Sequence, residues 1–497
     1  MKRLHNAGML HLRSSLPLLP VFGVWSLCYA LGLPALRADI DHGQGEMVGE
    51  VTAHSAILQS RLTEGTRLID GDLPGHAGEA RFEISDQESF TPSAFTDWLT
   101  ASPDHDFIVK ARINGLLPGH PYYFRLQFTE KDRTTAKTGP TRRFHTWAPG
   151  SIEPVHFVVT SCMNYAAFHG LTKGSGPPYT GADRSLGYPA LEAILKLKPQ
   201  AFVGTGDIVY YDQPAKTAAK TQPELRRKWH EQFVQPRFPK LFAEVPTYWE
   251  KDDHDWRRND SDPSGPYEPP VNLGLATFRE QTPVVLPGDA DQKTYRTHRL
   301  SRDLQIWLVE GRDYRSPNNS PDGPEKTLWG QEQMKWLKET LLASDATFKI
   351  LISPTPLVGP DDAYKKDNHT NMGGFRHEGL AFKEWIREAG LTDRFFIMNG
   401  DRHWQYHSID PTGIHEFSCG TLDDSNARKG RIPGDPKSTD PQSTITQPYG
   451  QGKADQVTGG FIEVVVSRPP TAGKPEIAFQ FYDDTGLLGY RKSFTTH

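Results

Sequence analysis

The sequence contains few cysteines and no long block of like charges. Only three of its 497 residues are cysteines, and its acidic residues outnumber its basic residues by 61 to 56. Three cysteines are too few for a disulfide scaffold. The lack of a basic tract and the acidic balance argue against a nucleic-acid-binding arm. No glycine-rich fingerprint lies between a strand-like run and a helix-like run, which excludes a dinucleotide-dependent oxidoreductase.

The composition is that of a folded protein, with 36% hydrophobic and 24% charged residues. At 497 residues the chain is long for a single hydrophobic core, so we expect two domains. We place a β-rich domain at 45–148 and a second domain at 152–497, after an N-terminal segment that differs from both.

Residues 1–38 have the pattern of an export signal. A basic start that includes Lys2 and Arg3 precedes an apolar stretch over 16–33 and a small residue, Ala38. This pattern predicts a signal peptide cleaved near Ala38 and a periplasmic or secreted protein. Cleavage would leave no stable transmembrane anchor. The alternative is a retained membrane anchor, because the apolar stretch is near the shortest length that spans a bilayer.

Residues 45–148 are predicted to form a β-sandwich of immunoglobulin or fibronectin type III style. Tyr122 begins a strand-like run just after a Pro-Gly turn, where such folds often use a corner tyrosine. The region contains no catalytic constellation. Apolar or alternating runs of strand length lie at 50–53, 56–62, 79–84, 107–113, 122–128 and 142–146.

From about residue 152 onward, strand-like runs alternate with helical patterns, which is typical of an α/β domain. Residues 423–459 are polar and rich in glycine, proline and threonine, so we expect a long surface loop there. Helices are predicted at 191–197, 223–233 and 331–341. Strands are predicted at 305–310, 348–353, 460–466, 476–482 and 489–494.

Four further strand-like runs each end in residues that can bind a metal ion. The four endings are Ser161-Cys162, Gly206-Asp207-Ile208-Val209-Tyr210, Lys251-Asp252-Asp253-His254-Asp255 and Asn399-Gly400-Asp401-Arg402-His403. Since the carboxyl ends of strands converge in a layered α/β domain, we expect these groups to meet. A carboxylate can hold two cations at once, and a phenolate suits ferric iron. The pattern predicts a two-metal site that includes Asp207 and Tyr210.

Other roles for these residues remain open. Cys162 could form a disulfide with Cys419 or be a small buried hydrophobe. Asp253 and Asp255 could merely solvate a turn. Arg402 could pair with a structural carboxylate or touch substrate.

In this order, after a β-rich N-terminal domain, the four motifs resemble those of the PhoD-type alkaline phosphatases in the calcineurin-like metallophosphoesterase superfamily. The resemblance covers about residues 45–495 and is specific at the four motifs. A more distant resemblance is to the purple acid phosphatases, which also pair a tyrosine with iron. The resemblance implies a four-layer α/β/β/α metallophosphoesterase domain at 152–497 behind the β-sandwich.

The resemblance also implies a binuclear centre of ferric iron and a divalent ion, which would be calcium, zinc or manganese. The residues that match its iron side are Cys162, Asp207, Tyr210 and His403. Asp207 would bridge to the divalent ion. The residues that match the divalent side are Asp253 and Asp401, with Asn259 as a further candidate.

His254 matches the histidine that contacts phosphate in the superfamily and assists the leaving group. Related phosphoesterases take a further ligand from the region between the third and last motifs, but Ser353-Pro354-Thr355-Pro356 contains no histidine. His369 and His377 are the candidates for this ligand. His369 is preferred, because it lies in a polar loop with neighbouring aspartate and asparagine.

These roles imply an exported phosphoric ester hydrolase with Asp207 and His254 as its catalytic residues. A metal-bound hydroxide would attack phosphorus, and His254 would protonate the leaving alkoxide. The expected substrates are phosphate monoesters, diesters or both, on small molecules, lipids or polymers. The alternative enzyme is a phospholipase-D-like or wall-polymer phosphodiesterase. A non-catalytic surface-binding protein is disfavoured, because Asp207 and His403 are both present.

Overall fold

The computed structural model describes residues 39–452, 457–469 and 473–496. The export signal predicted at 1–38 lies outside these residues. The strands of the N-terminal part are β1 (Ile40–Asp41), β2 (Glu46–Gly49), β3 (Ser55–Arg61), β4 (Thr63–Glu64), β5 (Gly78–Ser85), β6 (Ala94–Phe95), β7 (Leu99–Ala101), β8 (Ile108–Asn114), β9 (Pro121–Thr129), β10 (Lys137–Thr138) and β11 (Arg142–His145).

The later strands are β12 (Val155–Thr160), β13 (Phe202–Thr205), β14 (Thr247–Glu250), β15 (Arg296–Arg299), β16 (Leu304–Leu308), β17 (Phe348–Ser353), β18 (Phe395–Asn399), β19 (Gln405–Ile409), β20 (His415–Cys419), β21 (Thr446–Gly450), β22 (Gly460–Ser467), β23 (Glu476–Asp483) and β24 (Leu488–Thr495). The α-helices are α1 (Tyr165–Phe168), α2 (Pro189–Leu197), α3 (Gln222–Phe233), α4 (Arg237–Phe242), α5 (Val271–Gln281), α6 (Gln331–Ala343) and α7 (Arg376–Glu388).

Most of the N-terminal strands belong to one of two large sheets, whereas β1 and β4 pair with each other. β5 and β9 form the centre of a six-stranded sheet that also contains β6, β7, β10 and β11. β2, β3 and β8 instead extend a nine-stranded sheet, because β2 pairs in parallel with β14. Leu58 and Val109 on this extension share one hydrophobic cluster with Phe82 and Phe124 of the six-stranded sheet. The two layers therefore bury a common apolar core.

The strand predicted at 50–53 is not formed, and β2 lies just before it at Glu46–Gly49. Glu50 turns the chain with a positive φ of 50°. Its carboxylate lies 2.6 Å from Nη2 of Arg296 and 3.0 Å from Nε2 of His298. The prediction at 50–53 was wrong, because residue alternation does not reveal a turn that is fixed by distant partners.

The strands that precede the four sequence motifs belong to two central sheets. The nine-stranded sheet has the order β24-β23-β22-β12-β13-β14-β2-β3-β8, and the seven-stranded sheet has the order β15-β16-β17-β18-β20-β19-β21. β12, β13 and β14 are parallel, and so are β16, β17 and β18. Parallel neighbours end at the same edge of a sheet, so the loops that follow them lie side by side.

Alternate side chains of these parallel strands face different layers. Val159 and Ile350 lie in the core between the two sheets. Val158 faces a cluster that includes side chains of α2 to α5, whereas Leu351 faces a cluster covered by α6 and α7. Both faces of the strands are buried, which explains their almost continuous apolar sequence. The expected α/β fold is therefore confirmed.

The helices begin at local sequence signals. Thr221 and Glu224 form a capping box at the start of α3. Pro189 occupies the first position of α2, where its missing N–H removes no helical hydrogen bond. Within the described residues, we find no helix with the length and apolar character needed to cross a membrane.

The described part of 423–459 agrees only in part with the expected surface loop, because 429–437 and 441–449 are exposed or half-buried but other residues are not. β21 pairs with β19 in the seven-stranded sheet, and Asn426 and Asp440 are buried. The carboxylate of Asp440 accepts hydrogen bonds from the N–H groups of Thr444 and Ile445. The surface-loop prediction was therefore wrong for these buried residues, because hydrogen bonds within the protein allow polar residues to be buried.

Candidate active site

The four motifs meet where β12, β13, β14 and β18 end. Cys162, Asp207, Asp401 and His403 have left-handed backbones, with φ of 56°, 57°, 61° and 59°. Residues other than glycine rarely take this conformation, and it concentrates at functional sites. These turns therefore keep an unfavourable backbone conformation that places their side chains at the site.

Close backbone contacts hold the turns together. The N–H of Cys162 donates to the carbonyl of Gly206 at 3.3 Å. A Cβ at Gly400 would lie 2.2 Å from Oγ of Ser161 and 2.6 Å from the carbonyl oxygen of Thr205. Glycine is therefore required at position 400 for the last motif to approach the first two.

One group of ligand atoms combines sulfur, oxygen and nitrogen. Ligand atoms of Cys162, Asp207 and His403 lie within 4.8 Å of one another. The hydroxyl of Tyr210 is 3.1 Å from Oδ2 of Asp207 and 3.5 Å from Nε2 of His403. Asn426 donates through Nδ2 to the Tyr210 hydroxyl at 3.0 Å. The structure thus brings together the four residues that the resemblance assigns to one metal.

Asp207 lies between this group and the carboxylates of the third and fourth motifs. Its Oδ2 faces Cys162 and Tyr210, and its Oδ1 accepts the backbone N–H of His254 at 3.3 Å. The two oxygens therefore face different neighbours, as a bridging carboxylate requires. The further groups with ligand atoms within 4.8 Å are Asp207 with Asp253 and His254, and Asp207 with Asp252 and Asp401.

A third acidic group shares Asp253 with the group formed by Asp207, Asp253 and His254. Ligand atoms of Asp253, Asp260 and Asp367 are within 4.8 Å of one another. Asp367 is 1% exposed, and neither of its carboxylate oxygens has a hydrogen-bond partner among the described residues. Lys365 and Arg312 hold the pKa of Asp367 below its ordinary value despite burial. Oδ2 of Asp367 lies 3.7 Å from Nη2 of Arg312, so the site contains a buried carboxylate that is paired with a cation and makes no hydrogen bond to the described residues.

His254 is held from two sides. Its Nδ1 lies 2.7 Å from Oδ1 of Asp212, and its ring stacks on Tyr210 with centroids 4.1 Å apart. Burial lowers the pKa of His254, but Asp212, Asp253 and Asp207 together raise it well above its ordinary value. These carboxylates therefore favour a protonated imidazole that can donate to an oxygen atom.

The anionic ligands are poorly stabilised by the protein alone. Burial raises the pKa of Asp207 well above its usual range, and Asp253 adds to the shift against the opposing effect of His254. Burial and the Asp207 charge also raise the pKa of the Cys162 thiol and the Tyr210 phenol. A multivalent cation reverses such shifts, because it favours the deprotonated ligands. The donor set therefore fits a metal centre.

Two buried arginines neutralise part of this acidic region. Arg312 is fully buried and its Nη2 lies 2.6 Å from Oδ1 of Asp252. Arg402 is also fully buried and contacts both Asp361 and Asp401. These contacts give Arg402 the structural role that was one of its two alternatives.

Asp255 connects two motif turns through its carboxylate. It accepts hydrogen bonds from the N–H of Ile208 at 2.9 Å and the N–H of Asp252 at 2.6 Å. Burial raises the pKa of Asp255 to about 8. The hydrogen bonds of Asp255 thus join the backbones of two motif turns.

The remaining candidates lie farther from the ligand groups. Asn259 is exposed, and its backbone N–H donates to Oδ2 of Asp212 at 3.0 Å. His369 pairs through Nε2 with Oε1 of Glu378 at 2.9 Å, and none of the ligand groups formed by described residues includes it. Asp367, two residues earlier in the same loop, enters a group instead.

The two cysteines of the described region, Cys162 and Cys419, are both free and buried. The disulfide considered from the sequence is therefore not formed. Cys162 remains a thiol with Oγ of Ser161 at 3.2 Å and Oδ2 of Asp207 at 3.5 Å. Its place within the ligand group agrees with a metal-binding thiolate.

Sequence reasoning missed several residues that border the site. Asp212 was not among the predicted site residues, although its position two residues after Tyr210 was a local signal. Asp260 directly follows Asn259 and carries the stronger ligand of the two. Lys365 and Asn426 lie in polar loops, where no periodic pattern distinguishes a site residue from a solvated one.

Comparison with known proteins identifies the family. The profile described as PhoD-like phosphatase matches residues 157–466, and the profile of the PhoD-like phosphatase N-terminal domain matches residues 34–145. The chain belongs to the PhoD-like phosphatase family. The resemblance drawn from the four motifs is therefore confirmed.

Individual relatives are similar over different shares of the chain. Alkaline phosphatase D of Bacillus subtilis (strain 168) is 23% identical over 341 residues, which cover 62% of this chain and 54% of that protein. The chain thus spans about half the length of this curated relative.

Solved structures share the fold at low sequence identity. A structure of PhoD has a TM-score of 0.70 and 18% identity, covering 91% of this chain and 90% of that chain. A purple acid phosphatase from yellow lupin (Lupinus luteus) seeds has a TM-score of 0.56 and 11% identity, covering 90% and 74%. Both show a metallophosphoesterase-like α/β fold.

Proposed function

We propose that this protein hydrolyses phosphate esters at a binuclear metal centre. The observation that carries the proposal is the position of Asp207, which lies between the Cys162 and His403 group and the carboxylates of the other motifs. Membership of the PhoD-like phosphatase family supports the same reaction class. The substrates are phosphate monoesters, phosphodiesters or both.

The ligand types support different metals on the two sides of Asp207. Thiolate, phenolate and imidazole from Cys162, Tyr210 and His403 suit ferric iron. The carboxylates of Asp253 and Asp401 suit a hard divalent ion, and calcium is our first choice before zinc or manganese. When bound, the two metals would activate water and neutralise charge on the phosphoryl group.

The protein's own groups then position the ester and supply a proton. We assign His254 as the group that donates a proton to the leaving oxygen as its bond to phosphorus breaks. Asp212 fixes the ring through Nδ1, which leaves Nε2 for this donation. The stacked Tyr210 ring restricts the imidazole further.

Two proposals concern the whole chain. We place an immunoglobulin or fibronectin-like β-sandwich at 45–148, supported by the profile match at 34–145, and the catalytic domain at 152–497.

The sequence of 1–38 supports export to the periplasm or the medium. Mass spectrometry of the protein recovered outside the cytoplasm should give a mature N-terminus near Asp39.

Metal analysis and turnover test the reaction. We expect the purified protein to contain iron and a second metal, and to release nitrophenol from nitrophenyl phosphate, bis-nitrophenyl phosphate or both. Asp207→Asn should lower the content of both metals and reduce turnover by at least about 100-fold. A metal-free active protein, or equal activity in the variant, would refute the mechanism. Turnover of the diester alone would favour the phosphodiesterase alternative.

A further inference from the structure

Lys365 brings an ammonium group to the candidate metal ligands. It lies in the loop that joins β17 to α7. Its Nζ is 2.7 Å from Oδ1 of Asp260 and 4.0 Å from Oδ1 of Asp401. Asp260 belongs to the third acidic group, and Asp401 to a group that contains Asp207. A tethered positive charge therefore lies between two groups of carboxylates.

Exposure distinguishes Lys365 from the arginines that touch the same carboxylates. The side chains of Arg312 and Arg402 are 0% exposed, so protein atoms surround their guanidinium groups. Lys365 is 9% exposed, and its partner Asp260 is 32% exposed. The Lys365 side chain is therefore not completely enclosed by protein atoms, and it lies beside the more exposed Asp260.

Arg428 is a second partly exposed cation near His403, and its guanidinium group already has two partners. Nη1 of Arg428 lies 2.9 Å from Oδ2 of Asp362, and its guanidinium carbon is 4.5 Å from the centre of the Trp404 ring. Of the two carboxylate partners of Lys365 in the described region, Asp260 lies at 2.7 Å and Asp401 only at 4.0 Å. An ammonium group has three N–H donors, so Lys365 can bind an additional anion.

We propose that Lys365 contacts the phosphoryl oxygens of the bound ester and thereby favours dianionic monoesters over monoanionic diesters. This inference rests on the proposed function and adds a substrate preference to it. A phosphate monoester above pH 7 carries two negative charges, whereas a diester carries one. A nearby cation stabilises the dianion more strongly, because Coulomb energy scales with the product of the charges.

Lys366 supplies a matched control from the same loop. Its side chain is exposed, and its Nζ is 3.4 Å from Oδ1 of Asn319. It has no place in the acidic groups formed by the described residues. Lys366→Gln therefore removes the same charge from the adjacent residue without altering the contacts of Lys365.

The experiment compares Lys365→Gln, Lys365→Arg and Lys366→Gln in the metal-loaded protein. Each is assayed for kcat/KM with nitrophenyl phosphate and bis-nitrophenyl phosphate, for inhibition by inorganic phosphate, and for metal content. Lys365→Gln should reduce kcat/KM for the monoester by about 10- to 100-fold and for the diester by less than about threefold. It should also weaken phosphate inhibition and leave metal content unchanged. Lys365→Arg should recover much of the monoester activity, and Lys366→Gln should match the unmodified protein.

The outcomes separate this inference from the proposed function. If the unmodified protein is active but Lys365→Gln leaves the monoester-to-diester ratio unchanged, the role of Lys365 is refuted and the hydrolase remains. Loss of metal with equal loss of both activities refutes it too, because Lys365 would then only hold the ligands. If the unmodified metal-loaded protein hydrolyses neither ester, the proposed function fails and this inference fails with it.

Discussion

Nδ1 of His254 lies 2.7 Å from Oδ1 of Asp212. The other oxygen of the same carboxylate accepts the backbone N–H of Asn259 at 3.0 Å. Asp212 follows β13, whereas His254 and Asn259 follow β14. One carboxylate therefore fixes the proposed proton donor and the loop that carries it.

Asp212→Asn should impair proton donation while preserving the fold. The amide cannot stabilise the imidazolium as a carboxylate does, so we expect kcat to fall by about 10- to 100-fold. The loss should be larger with an alkyl phosphate than with nitrophenyl phosphate, because a poor leaving group depends more on the acid. The exposed Asp291→Asn is the control. Equal losses with both esters would contradict the assignment of His254 as the acid.

Tyr210→Phe should remove an iron ligand and the tyrosinate-to-iron absorption. The Tyr210 hydroxyl lies within 3.5 Å of both Asp207 and His403. Tyr211→Phe is a matched control, because the Tyr211 hydroxyl instead accepts the indole N–H of Trp229 at 2.8 Å. Visible spectroscopy and metal analysis should show a loss only in the Tyr210 variant. An unchanged spectrum in that variant would exclude Tyr210 as a ligand.

Cys162→Ser and Cys419→Ser should behave differently although both cysteines are free and buried. Sγ of Cys162 is 3.5 Å from Oδ2 of Asp207, so its loss should lower iron content. Cys419 is absent from the ligand groups of the described region, so its replacement should leave iron content unchanged. A disulfide between the two in the active protein, detected by mass spectrometry without reduction, would exclude the thiolate ligand.

Asp207→Asn should change stability in opposite directions with and without metal. In the metal-free protein, burial makes the Asp207 carboxylate unfavourable, and Asp253 adds to this effect. The amide avoids that cost, so the variant should melt about 2 to 4 °C higher after chelation. With metals bound, the unmodified protein should be the more stable one. Melting curves with and without a chelator test this reversal, and identical shifts in both conditions would contradict it.

Glu50 should make part of the stability depend on acid pH. Although burial opposes ionisation, Arg296 and His298 lower the pKa of Glu50 from 4.5 to about 2. Its folded pKa is depressed, so its contribution is complete above pH 4.5 and is lost as pH falls through about 2. By linkage this contribution is about 3 kcal/mol at neutral pH.

Denaturant unfolding from pH 7 to pH 2 tests this contribution. Glu50→Gln should lower the free energy of unfolding at pH 7 and show a smaller difference from the unmodified protein near pH 2. Glu244→Gln removes the carboxylate of an exposed pair with Arg143 and should change little. A Glu50→Gln effect that is constant with pH would show that ionisation of Glu50 is not its cause.

The position of a residue relative to a buried strand explains which parts of the site were predictable. Cys162, Asp207 and His403 each follow a buried strand, and parallel strands end at one edge. Their convergence therefore depends on the α/β pattern, which the apolar runs reveal. The turn at Glu50 depends on Arg296 and His298. The burial of 438–440 involves a distant contact, in which the N–H of Thr439 donates to the carbonyl of Asp361, so neither feature was predicted.

The sequence by itself determined the alternation of strands and helices, the four motifs and the family to which they belong. Only the tertiary structure decided that Asp212 holds His254, that Asp367 rather than His369 joins a ligand group, and that Lys365 lies beside Asp401. The physical reason is that buried strands impose a short, readable period on the sequence. Polar residues in long loops have no such period. Their partners are fixed by the packing of distant segments, which the sequence pattern does not reveal.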